Sequence, residues 1–483
     1  MIRQTRIAVI GGGLAGLATS AWLRLDAPEI EVCLFESSDC LGGVIGTSTL
    51  EHPDLGTIHL DRGADMLATE PSSALDLIDR LDASDRLIHP KSAGRGAMIV
   101  HQGRLRSIPE GFVLMRPTRL RSMVTTPLLS PQGKLRLLAE PCIGEPDSED
   151  DESVASFVRR RFGDELLQRI VQPLVAGIYT ADVERLSMRA TMAPIHAMVR
   201  RHGSLTAATL RRRFGGRDGV EATSSGARYE KFRAFRFGMQ GLIDLLAESL
   251  PPTSVRTNAA VNRIGRNERG GFDLALADAS VQSFDQVVVA TPASRTANLI
   301  ADLAPAASDQ LASIISASAG IVVMVVRRED MPGLPPTFGL VVPAIENRRI
   351  LAVSFASEKF AGRCPPDHVI VRVFVGGMLQ SDLLQRDDAD LVQLATDELR
   401  DLVGLSGAPV HQTVVRWNKA MPQYEIGHLD RVATIDADIA RIPGLHLCSN
   451  ALRGVGIAPL IGQAGQVAKA VIDQAASTAT ACC

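Results

Sequence analysis

Residues 6–43 constrain the fold more than any other stretch of the chain. Ile7, Ala8, Val9 and Ile10 form a short apolar run, as a strand buried on both faces of a parallel sheet requires. Gly11, Gly13 and Gly16 follow at once in the spacing Gly-x-Gly-x-x-Gly, with Gly12 between the first two. In such a turn the first glycine permits the tight bend, the second lets backbone approach a pyrophosphate, and the third lets helix and strand pack closely. Residues 14–25 continue at helical spacing from Leu14, Ala15 and Leu17, so the helix would aim its unbonded N-terminal N–H groups at phosphate. Residues 32–35 read as a second strand. Glu36 ends it about twenty residues after the glycines, where a carboxylate accepts hydrogen bonds from ribose hydroxyls and repels a 2′-phosphate. Strand, glycines, helix, strand and acidic end, in that order within one βαβ length, predict a dinucleotide site that disfavours NADP.

A chain of 483 residues exceeds one ordinary core and implies two or three domains. Its 46% hydrophobic and 22% charged residues and net charge of −3 are globular values that give no reason to expect nucleic acid. Aromatic residues, at 4%, are too few for a platform on which single-stranded bases stack. The cysteines (Cys33, Cys40, Cys142, Cys364, Cys448, Cys482, Cys483) form no C-x-x-C pair and have no His at ligand spacing. Neither a metal site nor a disulfide framework is expected, and a reducing, cytoplasmic setting is. No run reaches eighteen or so apolar residues, so no transmembrane helix is expected, while peripheral attachment to the cytoplasmic membrane stays open. Arg3 and Arg6 before an apolar stretch imitate a signal peptide, but the glycine register and Glu36 account for that stretch better.

Further along, residues 44–50 and 58–65 read as strands, and 72–81 as a short helix capped by Ser72. Residues 97–100 and 104–108 read as a hairpin around His101, Gln102 and Gly103. Residues 144–153 are an acidic loop, followed by an amphipathic helix carrying Arg159, Arg160 and Arg161 and then an apolar helix. Arg200, Arg201 and Arg211 to Arg213 make a basic stripe that fits a solvated helix face or an anionic lipid surface, where each cation is worth about 1 kcal/mol. Residues 215–226 read as a loop. A glycine turn at 237–241 leads into a helix with Leu242, Leu245 and Leu246, then strands over 255–263, 272–276 and 284–292. Residues 321–326, 338–342, 350–355 and 369–375 alternate with turns, as an antiparallel sheet would. A helix over 388–403, a strand at 444–448 and a helix over 460–474 complete the pattern.

Glu36, Gly42 and Gly43 resemble the Glu-x-x-x-Arg-x-Gly-Gly signature of the FAD-dependent amine oxidase superfamily, with Cys40 in the place of its arginine. Within that superfamily, residues 103–109, 117–118, 130–134, 152–187 and 237–242 resemble the oxygen-dependent protoporphyrinogen oxidase family. So do the stretch from Arg416 to His428 and residues 444–465. There Ser449 stands at a usual glycine, and Gly456-Ile-Ala-Pro-Leu-Ile461 replaces Gly-Ile-Pro-Asp-Cys-Ile. The resemblance runs from about residue 5 to 475.

The resemblance implies an α/β fold in which a Rossmann-type FAD-binding domain (1–62, 232–292 and 412–477) is joined to an α+β substrate domain. That second domain (63–105 and 293–411) would carry the antiparallel sheet. Residues 106–231 would form an all-helical, membrane-associating subdomain, or a plain helical one, and 478–483 a flexible tail. It implies non-covalent FAD held by residues 11–17, Glu36, Ser37, Gly42, Gly43 and Val44, by Gly63, Ala64, Asp65 and Met66, and by the backbone of Val261. Trp417 and the turn of Val455, Gly456 and Ile457 would line the flavin. Val341 and Leu351 would wall a flat macrocycle, and Arg95 is the cation nearest the position expected to pair with propionates. No Ser/His/Asp set, paired carboxylates or metal cluster converges in the sequence, which suits a reaction whose redox chemistry belongs to the flavin. The implied reaction turns protoporphyrinogen IX into protoporphyrin IX, with molecular oxygen as acceptor and hydrogen peroxide as product. Oxidation of coproporphyrinogen III is the alternative. Another amine oxidase-like enzyme and a non-catalytic FAD-binding paralogue are further ones, in each case as a monomer or homodimer.

Overall fold

Five parallel strands form the central layer, in the order Val255–Arg256, Glu31–Phe35, Arg6–Ile10, Gln286–Val289, Leu445–Leu447. The computed structural model describes residues 4–92, 96–113, 115–117, 119–144, 150–214 and 231–481. Successive residues of the strand Arg6–Ile10 point to opposite faces. Ile7 and Val9 join one core with the helices Leu14–Asp26 and Ile457–Ala481, while Ala8 and Ile10 join another beneath an antiparallel meander, Val261–Arg266, Phe272–Leu276 and Val281–Phe284. The two helices contact each other, and the small residues Ala18, Ala21, Ala464 and Ala468 are all buried in their shared core.

A second sheet has seven strands, ordered His411–Pro422, Ser316–Arg327, His368–Gly376, Ala352–Phe355, Gly339–Val341, Met98–His101, Arg104–Ser107. Its pairs are antiparallel except one: Gly339–Val341 runs parallel to Met98–His101, so the sheet expected to be antiparallel is mixed. The hairpin at one edge turns through Gln102 and Gly103, both at positive φ, the two-residue loop whose twist matches its strands.

Four further expectations change. Residues 44–46 stay out of the strand, which begins at Thr47 (Thr47–His52), because Gly46 lies against the Arg62 side chain and the Val44 carbonyl against Gly63. The strand expected over 255–263 splits, Val255–Arg256 joining the parallel sheet and Val261–Arg266 the meander, with Asn258 at φ +52° between them. The tail expected at 478–483 is helical as far as Ala481, since the Ala-rich end of Ile457–Ala481 has the highest helix propensity. Residues 106–231 are not all helical: beside helices such as Val154–Phe162 and Gln172–Tyr179 they contain the ribbon Phe112–Val113 and Arg116–Pro117.

In that region Arg161 turns inward from its helix and meets Glu140 at 2.9 Å, both wholly buried. The Glu140 carboxylate also accepts the N–H groups of Leu205 and Thr206, at 3.0 and 3.1 Å, and so caps the helix Leu205–Phe214. Among the described residues no helix is long and apolar enough to cross a membrane. Arg95, residues 145–149 and the 215–226 loop lie outside the described residues.

Candidate functional site

The glycine turn has the geometry its spacing implies. Gly11 sits at φ +111°, and a Cβ there would come within 2.6 Å of the Ala290 carbonyl. A Cβ on Gly16 would lie 1.9 Å from the Gly11 carbonyl, the close helix-to-strand contact only glycine allows. A Cβ on Gly13 would meet no protein atom within 4 Å, so this face of the turn is open. The helix Leu14–Asp26 has Gly13 as its N-cap and no side-chain cap. The N–H groups of Gly13, Ala15 and Gly16 donate to no protein acceptor, whereas Leu14 N–H takes part in the bridge between Gly13 and Gly42 and Leu17 N–H reaches Gly13 O at 3.0 Å. Three orphaned donors beside an open glycine fit a diphosphate.

Glu36 ends its strand beside that turn. Its Oε2 accepts Gly12 N–H at 2.7 Å, and its Oε1 accepts Ser38 N–H and Oγ–H at 2.8 Å and Ser37 Oγ–H at 3.1 Å. Burial favours the neutral acid, but these donors outweigh it and hold the carboxyl below its ordinary value. Glu36 thus shapes the loop as well as presenting an anion, and Ser37 acts on Glu36. The second glycine pair packs on the first: Gly42 N–H donates to Gly12 O at 2.8 Å, and a Cβ on Gly43 would lie 3.5 Å from Gly13 Cα. Cys40 is exposed, so the arginine's place in the superfamily signature is at the surface here.

Val261 is buried where its strand leaves the loop at Glu36. Ala259 N–H donates to Glu36 O, and the Val261 carbonyl accepts from Arg295 at 2.6 Å. A cleft of about 440 Å³ lined by residues 255–260, Leu276, Ala277, Asp278 and Gln282 opens there. It lies at the carboxyl end of a parallel strand, where ligands of such sheets bind.

Gly63 packs by its backbone on the residue after the second glycine pair, where an added Cβ would come within 2.0 Å of Val44 O. Trp417 Nε1 donates to Arg62 O at 2.8 Å, so its polar edge faces this segment. The Asp65 side chain turns away into the seven-stranded sheet, against Lys359 and Arg372. Burial opposes its ionisation, yet the two cations hold its carboxyl well below the usual carboxylate range.

On the other side, Tyr424 ties down the turn before Val455, Gly456 and Ile457. Its hydroxyl accepts Gly454 N–H at 2.8 Å and donates to Asn450 O. Its ring stacks on His428 at 4.0 Å, and His428 Nε2 lies 3.0 Å from Leu452 O. Ser449 is accommodated because its hydroxyl accepts Ala451 N–H and its own N–H meets Gln463 Oε1. Pro459 falls in the first turn of the helix Ile457–Ala481, where a missing N–H costs no helical bond. Val455 packs on the core of residues 106–231 and Ile457 on the nucleotide core.

Val341 and Leu351 approach the end of one helix, Gln172–Tyr179. Val341 Cγ1 would be 3.6 Å from a Cβ on Gly177, and Leu351 Cδ1 3.1 Å from one on Gly377, which also abuts the Thr180 carbonyl.

Sequence reasoning passed over Lys359, Arg372, Tyr424 and His428 as individual residues. Arg372 carried a signal, a lone charge inside the buried run His368–Gly376.

The family described as flavin containing amine oxidoreductase matches residues 14–472. Coproporphyrinogen III oxidase of Propionibacterium freudenreichii is 32% identical, over 97% of this chain and 91% of that protein. Protoporphyrinogen oxidase 2 of Arabidopsis thaliana is 25% identical, over 97% and 94%. A solved structure of a candidate protoporphyrinogen oxidase from Exiguobacterium sp. 255-15 superposes with a TM-score of 0.83 over 98% of this chain and 99% of that one, at 24% identity.

Proposed function

The chain belongs to the flavin containing amine oxidoreductase family, and from that premise we propose that it oxidises a porphyrinogen to the porphyrin, with molecular oxygen as acceptor. One observation carries this reading: a relative named coproporphyrinogen III oxidase matches 97% of the chain at 32% identity. Coproporphyrinogen III is accordingly the first substrate to try and protoporphyrinogen IX the second.

A flavin at a dinucleotide turn is FAD, which when bound supplies the two-electron acceptor. In this reading the protein binds, orients and excludes water. The N–H groups of Gly13, Ala15 and Gly16 hold the diphosphate and Glu36 the ribose. The backbone of residues 63–66 and the turn 455–457 frame the ring. Val341 and Leu351 form an apolar wall, and Arg95 pairs with a carboxylate. Residues 1–62, 232–292 and 412–477 act as the cofactor unit, and 63–105 with 293–411 as the substrate unit. Within 106–231, exposed Val124, Leu135 and Leu138 beside Arg121 and Lys134 suit peripheral contact with anionic lipid, which vesicle flotation at low and high salt tests.

The deciding experiment supplies each porphyrinogen to flavin-replete protein, first without oxygen and then in air. Flavin bleaching followed by porphyrin fluorescence with peroxide is the expected result, and Leu351→Ala should slow it. Oxidation of neither porphyrinogen above its autoxidation rate would sink the reading in favour of a non-catalytic flavoprotein.

A further inference from the structure

Residues 63–66 are fixed from outside the nucleotide layer by buried charge. Asp65 is 6% exposed, and its Oδ2 receives Lys359 Nζ at 2.9 Å, Arg372 Nη1 at 3.0 Å and Ser354 Oγ at 3.4 Å. Arg372 Nη2 also donates to Gly63 O, beside the Trp417 bond to Arg62 O. All four side chains stand on or beside the seven-stranded sheet: Ser354 on Ala352–Phe355, Lys359 at the end of the helix Ala356–Lys359, Arg372 on His368–Gly376 and Trp417 on His411–Pro422.

The sheet therefore takes the carbonyls of residues 62 and 63 and the carboxylate of 65. The N–H groups of Ala64, Asp65 and Met66 donate to no protein acceptor. Beside this cluster Asp61 meets Arg363 at 3.5 Å, the arginine 2% exposed. Three buried cations (Lys359, Arg363, Arg372) thus face two buried carboxylates (Asp61, Asp65), a surplus of one positive charge, 3 − 2. A surplus charge is expensive to bury unless something nearby offsets it, and in a low dielectric it acts over a longer range than in water.

We propose that Lys359 and Arg372 are positioning residues for FAD. Acting through Asp65 and Gly63, they hold residues 63–66 with their unpaired N–H groups toward the flavin ring, and their surplus charge favours the electron-rich reduced ring over the oxidised one. This rests on the cofactor alone and not on the porphyrinogen reading. It is tested by flavin affinity and potential, so a failure to turn over porphyrinogen leaves it standing.

Three variants are compared with the wild type: Lys359→Met, Asp65→Asn and D65N/K359M. Apoprotein is titrated with FAD, and the midpoint potential of the holoprotein is read by equilibration with reference dyes. Each variant loosens the segment, and the FAD dissociation constant should rise about tenfold, the scale of one charged hydrogen bond. The potentials should move in opposite directions, negative in K359M and positive in D65N, with the double variant near the wild type because it conserves the net charge. Loss of packing alone gives no such sign reversal. If one single variant does not fold, the sign in the other, read against the double variant, carries the test. Shifts of one sign in both single variants, no shift in the one that folds, or a wild-type dissociation constant in D65N/K359M would overturn the proposal.

Discussion

Residues 63–66 and residues 450–454 are both held by side chains from elsewhere in the chain, but the first by ions and the second by two neutral rings. The ionic clamp gathers Lys359, Arg372 and Ser354 on a single oxygen of Asp65. The neutral clamp is Tyr424, bonded to Asn450 and Gly454, with His428 stacked beneath it and bonded to Leu452. A buried ion pair adds little to stability, because desolvation offsets most of its attraction. Its members nonetheless become mutually indispensable, since removing one leaves the others charged and unpaired. A neutral clamp can lose one bond and keep the rest. The comparison teaches that segment 63–66 is specified nearly all or none, and the turn before the helix Ile457–Ala481 by degrees.

Gly13→Val sets the outer limit for both. It places two methyl groups where the turn is open, so the purified protein should be colourless; stoichiometric flavin would show that the turn does not hold the diphosphate. Asp65→Ala should break the ionic clamp at a cost of about 3–5 kcal/mol, read as a lower unfolding midpoint in apoprotein and holoprotein alike. Tyr424→Phe should cost less, about 1–3 kcal/mol, for the unsatisfied Gly454 N–H and Asn450 O. Equal losses in the two variants would erase the distinction.

The smallest effect is in pH. Burial lowers the His428 pKa, with Arg431 and Arg453 adding to it against the Leu452 bond and Asp151. Unfolded protein thus takes up this proton more readily, so stability falls as pH drops below the ordinary imidazole value. The fall is at most about 1.4 kcal/mol per pH unit for one group. Asp65, held below the usual carboxylate range, stays ionised there; its contribution is present above its unfolded pKa and is lost only in strong acid. His59, His101, His196, His411 and His446 are lowered too and contribute to the same slope. His428→Phe keeps a ring on Tyr424 and should reduce the drop in unfolding midpoint between pH 7 and 5. An unchanged slope would remove His428 from the clamp's pH response.

The glycine turn was legible because everything that specifies it lies within one βαβ unit: Gly11 under Ala290 apart, its contacts run among residues 9–43. The Tyr424 clamp was half legible, since its segment was singled out and its partner lies only 30 residues on, but nothing local says which way a tyrosine hydroxyl points. The ionic clamp was not legible. Asp65 and Lys359 are 294 positions apart, and hydrophobic periodicity carries no information about such a meeting. The mixed pairing of Gly339–Val341 with Met98–His101 was hidden for the same reason, as both runs alternate equally well in either direction. The end of the last helix was misread for a local reason, residues 478–483 being expected as a flexible tail although the helix continues to Ala481.

The contact between Leu14–Asp26 and Ile457–Ala481 has a temporal consequence. The ribosome makes the helix Ile457–Ala481 about 430 residues after the helix Leu14–Asp26 that it covers. At roughly 5–20 residues per second the gap is on the order of a minute. A thirteen-residue helix is marginal in water by itself, so for that interval Leu14–Asp26 depends on its flanking strands and the helix Gln240–Glu248, and the face that Ile457–Ala481 covers stays open. The glycine turn can form early, but its helix is fully covered only once Ile457–Ala481 has been made, and until then the open face is a client for chaperones.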